Sequence, residues 1–133
     1  ATVQHNKIPI KIFIFNNSGY LTIKQTQQLG FGGRIMGADK KSGLTFPDYK
    51  KISESHKMKY FKILSNKNLS QKLKKVINAK GNVICELVMD PDEEQIPKAI
   101  NRRDKNGKSV PTKFEDMYPF LSKDEIESNK YKL

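Results

Sequence analysis

Cysteine occurs once in the 133 residues, as Cys85. A single thiol excludes an internal disulfide and points to a reducing, cytoplasmic setting. Set inside "NVICELVMD" with no basic partner close by, it reads as a buried, inert thiol. Histidine is scarce as well: His5 and His56 stand far apart, without the spacing of a metal pair. No apolar run is long enough to span a bilayer, so no membrane partner is expected. The opening "ATVQHNKIP" lacks the charged start, apolar core and cleavage pattern of a signal peptide. It does not begin with Met, and the chain is expected to be a piece of a longer protein or a processed product. No Gly-x-Ser-x-Gly, P-loop, Gly-x-Gly-x-x-Gly or zinc-spaced Cys/His set is present. "DPDEE" (90–94) clusters carboxylates without the glycine and ligand periodicity of a calcium loop, and reads as a solvated turn.

Arginine is the scarce cation: of 25 basic residues only Arg34, Arg102 and Arg103 are Arg. The net charge of +11 is concentrated in residues 1–82, where 16 basic side chains face three acidic ones, Asp39, Asp48 and Glu54. Such a half could serve a basic, non-catalytic α/β module that binds nucleic acid or another polyanion. Against that, the lysines are scattered without stacking aromatics, and base-edge reading favours the arginine fork that is nearly missing. Nucleic acid is therefore not the expected partner. A steep fall of specific affinity with salt would separate that alternative from the reading developed below. A non-catalytic assembly surface is a third possibility without positive support.

What is present has the order strand, helix, strand, helix, strand. "IPIKIFIF" (8–15) is almost continuously β-branched or aromatic, as in a central strand covered on both faces, so Ile12→Asp is expected to unfold the domain. "YLTIKQTQQL" starts a helix, and residues 30–46 form a glycine-punctuated loop. Pro47 and Asp48 open a helix whose inner face would be Tyr49, Ile52, Ser53 and His56. Residues 59–63 form a strand. "NLSQKLKKVINAKG" places Leu69, Leu73, Val76 and Ile77 on one face and stops at Gly81. "NVICELVMD" is a third strand. Alternation of this kind gives βαβ crossovers and a parallel sheet. Residues 1–90 are thus expected to form the α/β part. Residues 91–133, rich in proline and turn residues with a short acidic helix near 122–129, form a tail packed on the same domain.

In open parallel sheets ligands sit beyond the carboxyl ends of the strands. The first strand ends there in "NNSGY". An Asn oxygen is a neutral, hard ligand suited to Mg²⁺, and a nearby glycine can offer its carbonyl; a plain Asn-rich turn is the competing reading. The stretch "FNNSGYLTIKQTQ" resembles the second half of the cofactor motif of the thiamine-diphosphate enzymes, in the acetolactate-synthase-like branch. The likeness continues through "GRIMGADKKSGLTFPDYKKIS", "VICELVMDPDEEQIPK" and "FEDMYPFLSKDEIESN", and so covers nearly the whole chain.

The resemblance implies a three-layer thiamine-diphosphate-binding fold, a parallel sheet with helices on both faces, of which this chain is a fragment. It implies thiamine diphosphate and Mg²⁺ as cofactors, with the metal held by the Asn17 side chain and the Gly19 carbonyl. Asn16 would order the motif, and the backbone of Tyr20, Leu21 and Thr22 would lie near the diphosphate. A 2-keto acid would be the substrate, decarboxylated and passed to an acceptor, with the full-length chain a homodimer or tetramer. The Gly-Asp-Gly half of the motif and the family's catalytic glutamate have no counterpart in these residues. The fragment alone is therefore expected to be inactive. Residues 30–45 would suit either a mobile cover or an ordinary surface loop.

Overall fold

The computed structural model describes residues 1–130. They divide into two compact units, the first Ala1–Glu93 and the second beginning at Glu94. In the first unit, three strands form a parallel sheet: β1 (Lys11–Asn16), β2 (Lys59–Ile63) and β3 (Val83–Val88). β3 lies between the other two, with Phe13 and Phe61 flanking Cys85, and Ile14 and Lys62 flanking Glu86. The helices are α1 (Thr2–His5), α2 (Leu21–Gly30), α3 (Tyr49–Ser55) and α4 (Leu69–Asn78).

Side chains alternate across a pleated sheet, so each strand divides into two faces. Val83, Cys85 and Ile63 form one buried face with Val76 of α4, supported by Phe13, Phe61, Leu69, Leu73 and Leu87. Covering a valine such as Val76, 1% exposed, stabilises the fold by about 2 kcal/mol. The opposite face carries Ile84 and Glu86, and α3 lies on that side with Ser53 fully buried. Helices therefore cover both faces, the three-layer α/β arrangement that the sequence implies.

Three expectations need correction. Among the described residues β1 is an edge strand, and the strand buried throughout its first four residues is β3. The unbroken apolar run of β1 misleads because Phe15 is 66% exposed and the rest of the strand is only half-buried. Ile77 lies off the inner face of α4, being 59% exposed. His56 is exposed at the carboxyl cap of α3, not on its inner face. Cys85 is buried as expected, and burial pushes its thiol pKa up.

The second unit holds a two-residue antiparallel pair, β4 (Arg102–Arg103) with β5 (Ser109–Val110), and helix α5 (Lys123–Ser128). Its fixed point is Arg102, which donates two hydrogen bonds to Asp116 at 2.8 and 2.7 Å and stacks 4.1 Å from the Phe120 ring. Ser122 caps α5 by accepting the Glu125 N–H. Among the described residues no helix is long and apolar enough to cross a membrane.

Candidate functional site

The carboxyl ends of all three strands lie together because the sheet is parallel, and Asn16 stands at this end opposite Val88. The Asn16 carbonyl accepts the Met89 N–H at 2.9 Å, which ends the ladder. The chain then turns sharply. Asn16 Oδ1 accepts the Ser18 N–H at 3.0 Å and Asn17 Oδ1 accepts the Gly19 N–H at 3.2 Å, two consecutive Asx turns. Between them Ser18 takes the left-handed conformation, φ 58°.

Gly19 is needed for a reason the sequence does not display. Its φ is not positive; instead a Cβ there would stand 2.8 Å from the Ala38 carbonyl oxygen. That approach lets Gly19 bridge to Asp39 and lets the Tyr20 N–H reach the Ala38 carbonyl at 2.7 Å. Tyr20 is the amino-terminal cap of α2, its ring edge-on to Phe46 at 5.4 Å. Leu21 is buried and Thr22 exposed in the first turn of α2. All six residues singled out in the sequence thus form one continuous corner.

Residues 36–44 are tied to that corner at several points. Ala38 is fully buried. Asp39 and Ser42 form a reciprocal capping box around a short 3-10 turn, Lys40–Ser42. The Ser42 hydrogen bonds hold the Asp39 carboxyl below its usual pKa despite partial desolvation. The Gln27 side chain clasps the Met36 backbone at both its N–H and its carbonyl. Lys24 of α2 reaches Asp92 at 2.7 Å and Asp39 at 3.9 Å. The glycine-punctuated loop is therefore hydrogen-bonded against the corner. The "DPDEE" segment is a turn, with Asp90 Oδ1 accepting the Asp92 N–H.

Beside the corner, on the α3 face, opens a groove of about 420 Å³ whose walls include Asn16, Ser18, Asp48, Tyr60 and Glu86. Asp48 caps α3 by accepting the N–H groups of Lys51 and Lys50, which lower its pKa against a smaller desolvation cost. Glu86 is the residue that sequence reasoning missed. It is 3% exposed on the central strand, yet satisfied: Asn16 Nδ2 donates to it at 2.6 Å, the Tyr60 hydroxyl donates to its other oxygen, and Lys62 Nζ lies 3.1 Å away. The available signal was a lone carboxylate inside an apolar strand, which needs a partner once buried.

Burial pushes the Glu86 pKa up, but hydrogen bonds from Tyr60, Asn16 and Lys62 outweigh it and leave it below the usual carboxylate value. The Tyr60 hydroxyl is raised, first by its own burial and then by the adjacent Glu86. The folded state therefore binds the Glu86 proton less readily than the unfolded state does. Its stabilisation is complete above the unfolded value of 4.5 and is lost as pH falls through the depressed folded value. Urea unfolding at pH 7 and pH 4 should show a loss of stability on acidification that is smaller in Glu86→Gln than in the parent.

The corner fits a hard cation in the kind of donor it offers. An amide oxygen has two lone pairs, and the Asx turn uses one of the pair on Asn17 Oδ1. It falls short in number: among the described residues no group of three or more His, Cys, Asp or Glu side chains is placed to hold a metal ion. Two neutral oxygens make a partial shell for Mg²⁺, which demands near-octahedral coordination.

The chain is similar to the mitochondrial acetolactate synthase of Schizosaccharomyces pombe, 28% identical over 97 residues, covering 73% of this chain and 14% of that protein. The acetolactate synthase large subunit of Porphyra purpurea is 28% identical over 97 residues, 73% of this chain and 16% of that protein. The probable acetolactate synthase large subunit of Methanocaldococcus jannaschii is 32% identical over 93 residues, 70% of this chain and 15% of that protein. The chain thus spans less than a fifth of the length of these relatives. The family described as thiamine pyrophosphate enzyme, C-terminal TPP binding domain, matches residues 1–87, and the chain belongs to that family.

Proposed function

We propose that this chain is the closing part of the cofactor domain of a thiamine-diphosphate- and Mg²⁺-dependent enzyme of the acetolactate-synthase-like kind, a transferase or lyase acting on 2-keto acids. The observation that carries the reading is the corner from Asn16 to Thr22. It turns back on two Asx bonds at the carboxyl end of a parallel strand, within a chain that matches a TPP binding domain. Asn17 Oδ1 and the Gly19 carbonyl would hold the metal. The backbone at Tyr20, Leu21 and Thr22, where α2 begins, would lie near the diphosphate. Bound thiamine diphosphate supplies the carbanion chemistry; these residues orient it.

The rest of the metal shell and the groups that activate the cofactor would come from the longer protein and its partner subunit in a homodimer or tetramer. The isolated fragment would then be inactive. A reducing compartment, the cytoplasm, suits its single buried thiol.

The test is Asn17→Ala in the full-length protein. Affinity for thiamine diphosphate in saturating Mg²⁺, measured by calorimetry, should fall about a hundredfold, as for loss of a metal ligand or its close support. The circular dichroism spectrum should be unchanged. Parent-like affinity would remove Asn17 from the site.

A further inference from the structure

We propose that Glu86 is a positioning residue for the cofactor corner, fixing the Asn16 side chain from the central strand and, through it, the turn that presents Asn17. The inference rests on the reading that Asn17 serves the cofactor, and deepens it.

An ionised carboxylate can only accept hydrogen bonds, so the Asn16 group facing Glu86 Oε1 at 2.6 Å must be the amide Nδ2. That choice leaves Asn16 Oδ1 facing the Ser18 N–H, the bond that closes the first Asx turn. A flipped Asn16 would set its oxygen against the carboxylate and its N–H₂ against the Ser18 N–H. Both bonds would be lost together. Glu86 thus decides which end of the amide points into the turn.

The carboxylate is itself immobilised. The Tyr60 hydroxyl donates to Oε2 and Lys62 Nζ lies 3.1 Å from Oε1, both from β2 on the far side of β3. Glu86 belongs to the buried central strand, 3% exposed, whereas Asn16 ends an edge strand and Ser18 is held at φ 58°. The link therefore carries the rigidity of the sheet's centre to a left-handed turn at its edge. No buried side-chain polar atom among the described residues lacks a partner.

The experiment uses the full-length protein, with Mg²⁺ titrated at fixed thiamine diphosphate by calorimetry and a melting temperature recorded for each variant. Glu86→Leu and Asn16→Ala should each lower the apparent Mg²⁺ affinity about tenfold or more, the usual cost of losing an outer-shell partner. Glu86→Gln, which can still present an oxygen to Asn16 Nδ2, should bind within about threefold of the parent even if its melting temperature drops. A purely structural carboxylate would show no such rescue. If Glu86→Leu does not fold, Asn16→Ala carries the test, since it leaves Glu86 its Tyr60 and Lys62 partners. Parent-like Mg²⁺ affinity in a folded Glu86→Leu or in Asn16→Ala, alongside a loss in Asn17→Ala, would overturn the positioning role alone. Parent-like affinity in Asn17→Ala as well would overturn the cofactor reading and this inference with it.

Discussion

Cys85→Asp should leave the chain unable to fold. Cys85 is fully buried at the middle of the central strand, flanked by Phe13 and Phe61, within the cluster that includes Ile63, Val76 and Val83. A carboxyl placed there has no cation paired with it: Lys62 belongs to the opposite face with Glu86, and on its own face, two residues away at Val83, Lys59 is exposed and Lys11 Nζ is engaged by the Ala79 carbonyl at 2.6 Å. It must either ionise without a partner or stay protonated with a pKa raised by about 4 units, at about 1.4 kcal/mol each. A cost of about 5–6 kcal/mol equals or exceeds the whole stability of many small domains. Far-ultraviolet circular dichroism should therefore show no cooperative transition in urea. Ile12→Asp, on the half-buried edge strand, should cost about 2 kcal/mol and leave a measurable transition. Equal damage from both substitutions would contradict the observed order β1-β3-β2.

That contrast shows what the sequence can and cannot carry. Local pattern was enough for β2, for α4 through Val76, and for the Asp48 cap of α3, since each depends on neighbours a few residues away. The Asn-Asn corner was legible as well, because it follows at once from the end of a strand. Strand order was not: whether β1 or β3 lies in the middle depends on pairings some 70 residues apart. The same distance hid Glu86. Its partners Asn16, Tyr60 and Lys62 come from two other strands, and only the register brings them to one point. Ile77 has the right spacing for the inner face of α4, but no spacing rule says how wide a stripe the sheet will cover, and it stays 59% exposed.

Gly19→Val tests the corner from its other side. The substituted Cβ would lie 2.8 Å from the Ala38 carbonyl oxygen, and that atom is backbone, so no side-chain rotation can relieve the overlap. Ala38 cannot simply retreat. It is fully buried, its N–H donates to Ser42 Oγ at 3.0 Å, and its carbonyl holds the Tyr20 N–H at 2.7 Å. Overpacking of such a site costs about 3 kcal/mol, the upper end of the usual range. Relief would have to come from parting the Gly19–Asp39 bridge, which frees the cap of α2 and displaces the Gly19 carbonyl together. Gly19→Val should therefore lower stability by about 3 kcal/mol in urea unfolding. In the full-length protein it should also weaken Mg²⁺ binding at fixed thiamine diphosphate by more than the about threefold expected of Glu86→Gln. Gly19→Ala carries the same first clash without the branch, so it should fall between the parent and Gly19→Val in both measurements. A Gly19→Val protein as stable as the parent would mean that the approach of Gly19 to Ala38 is not what this corner requires.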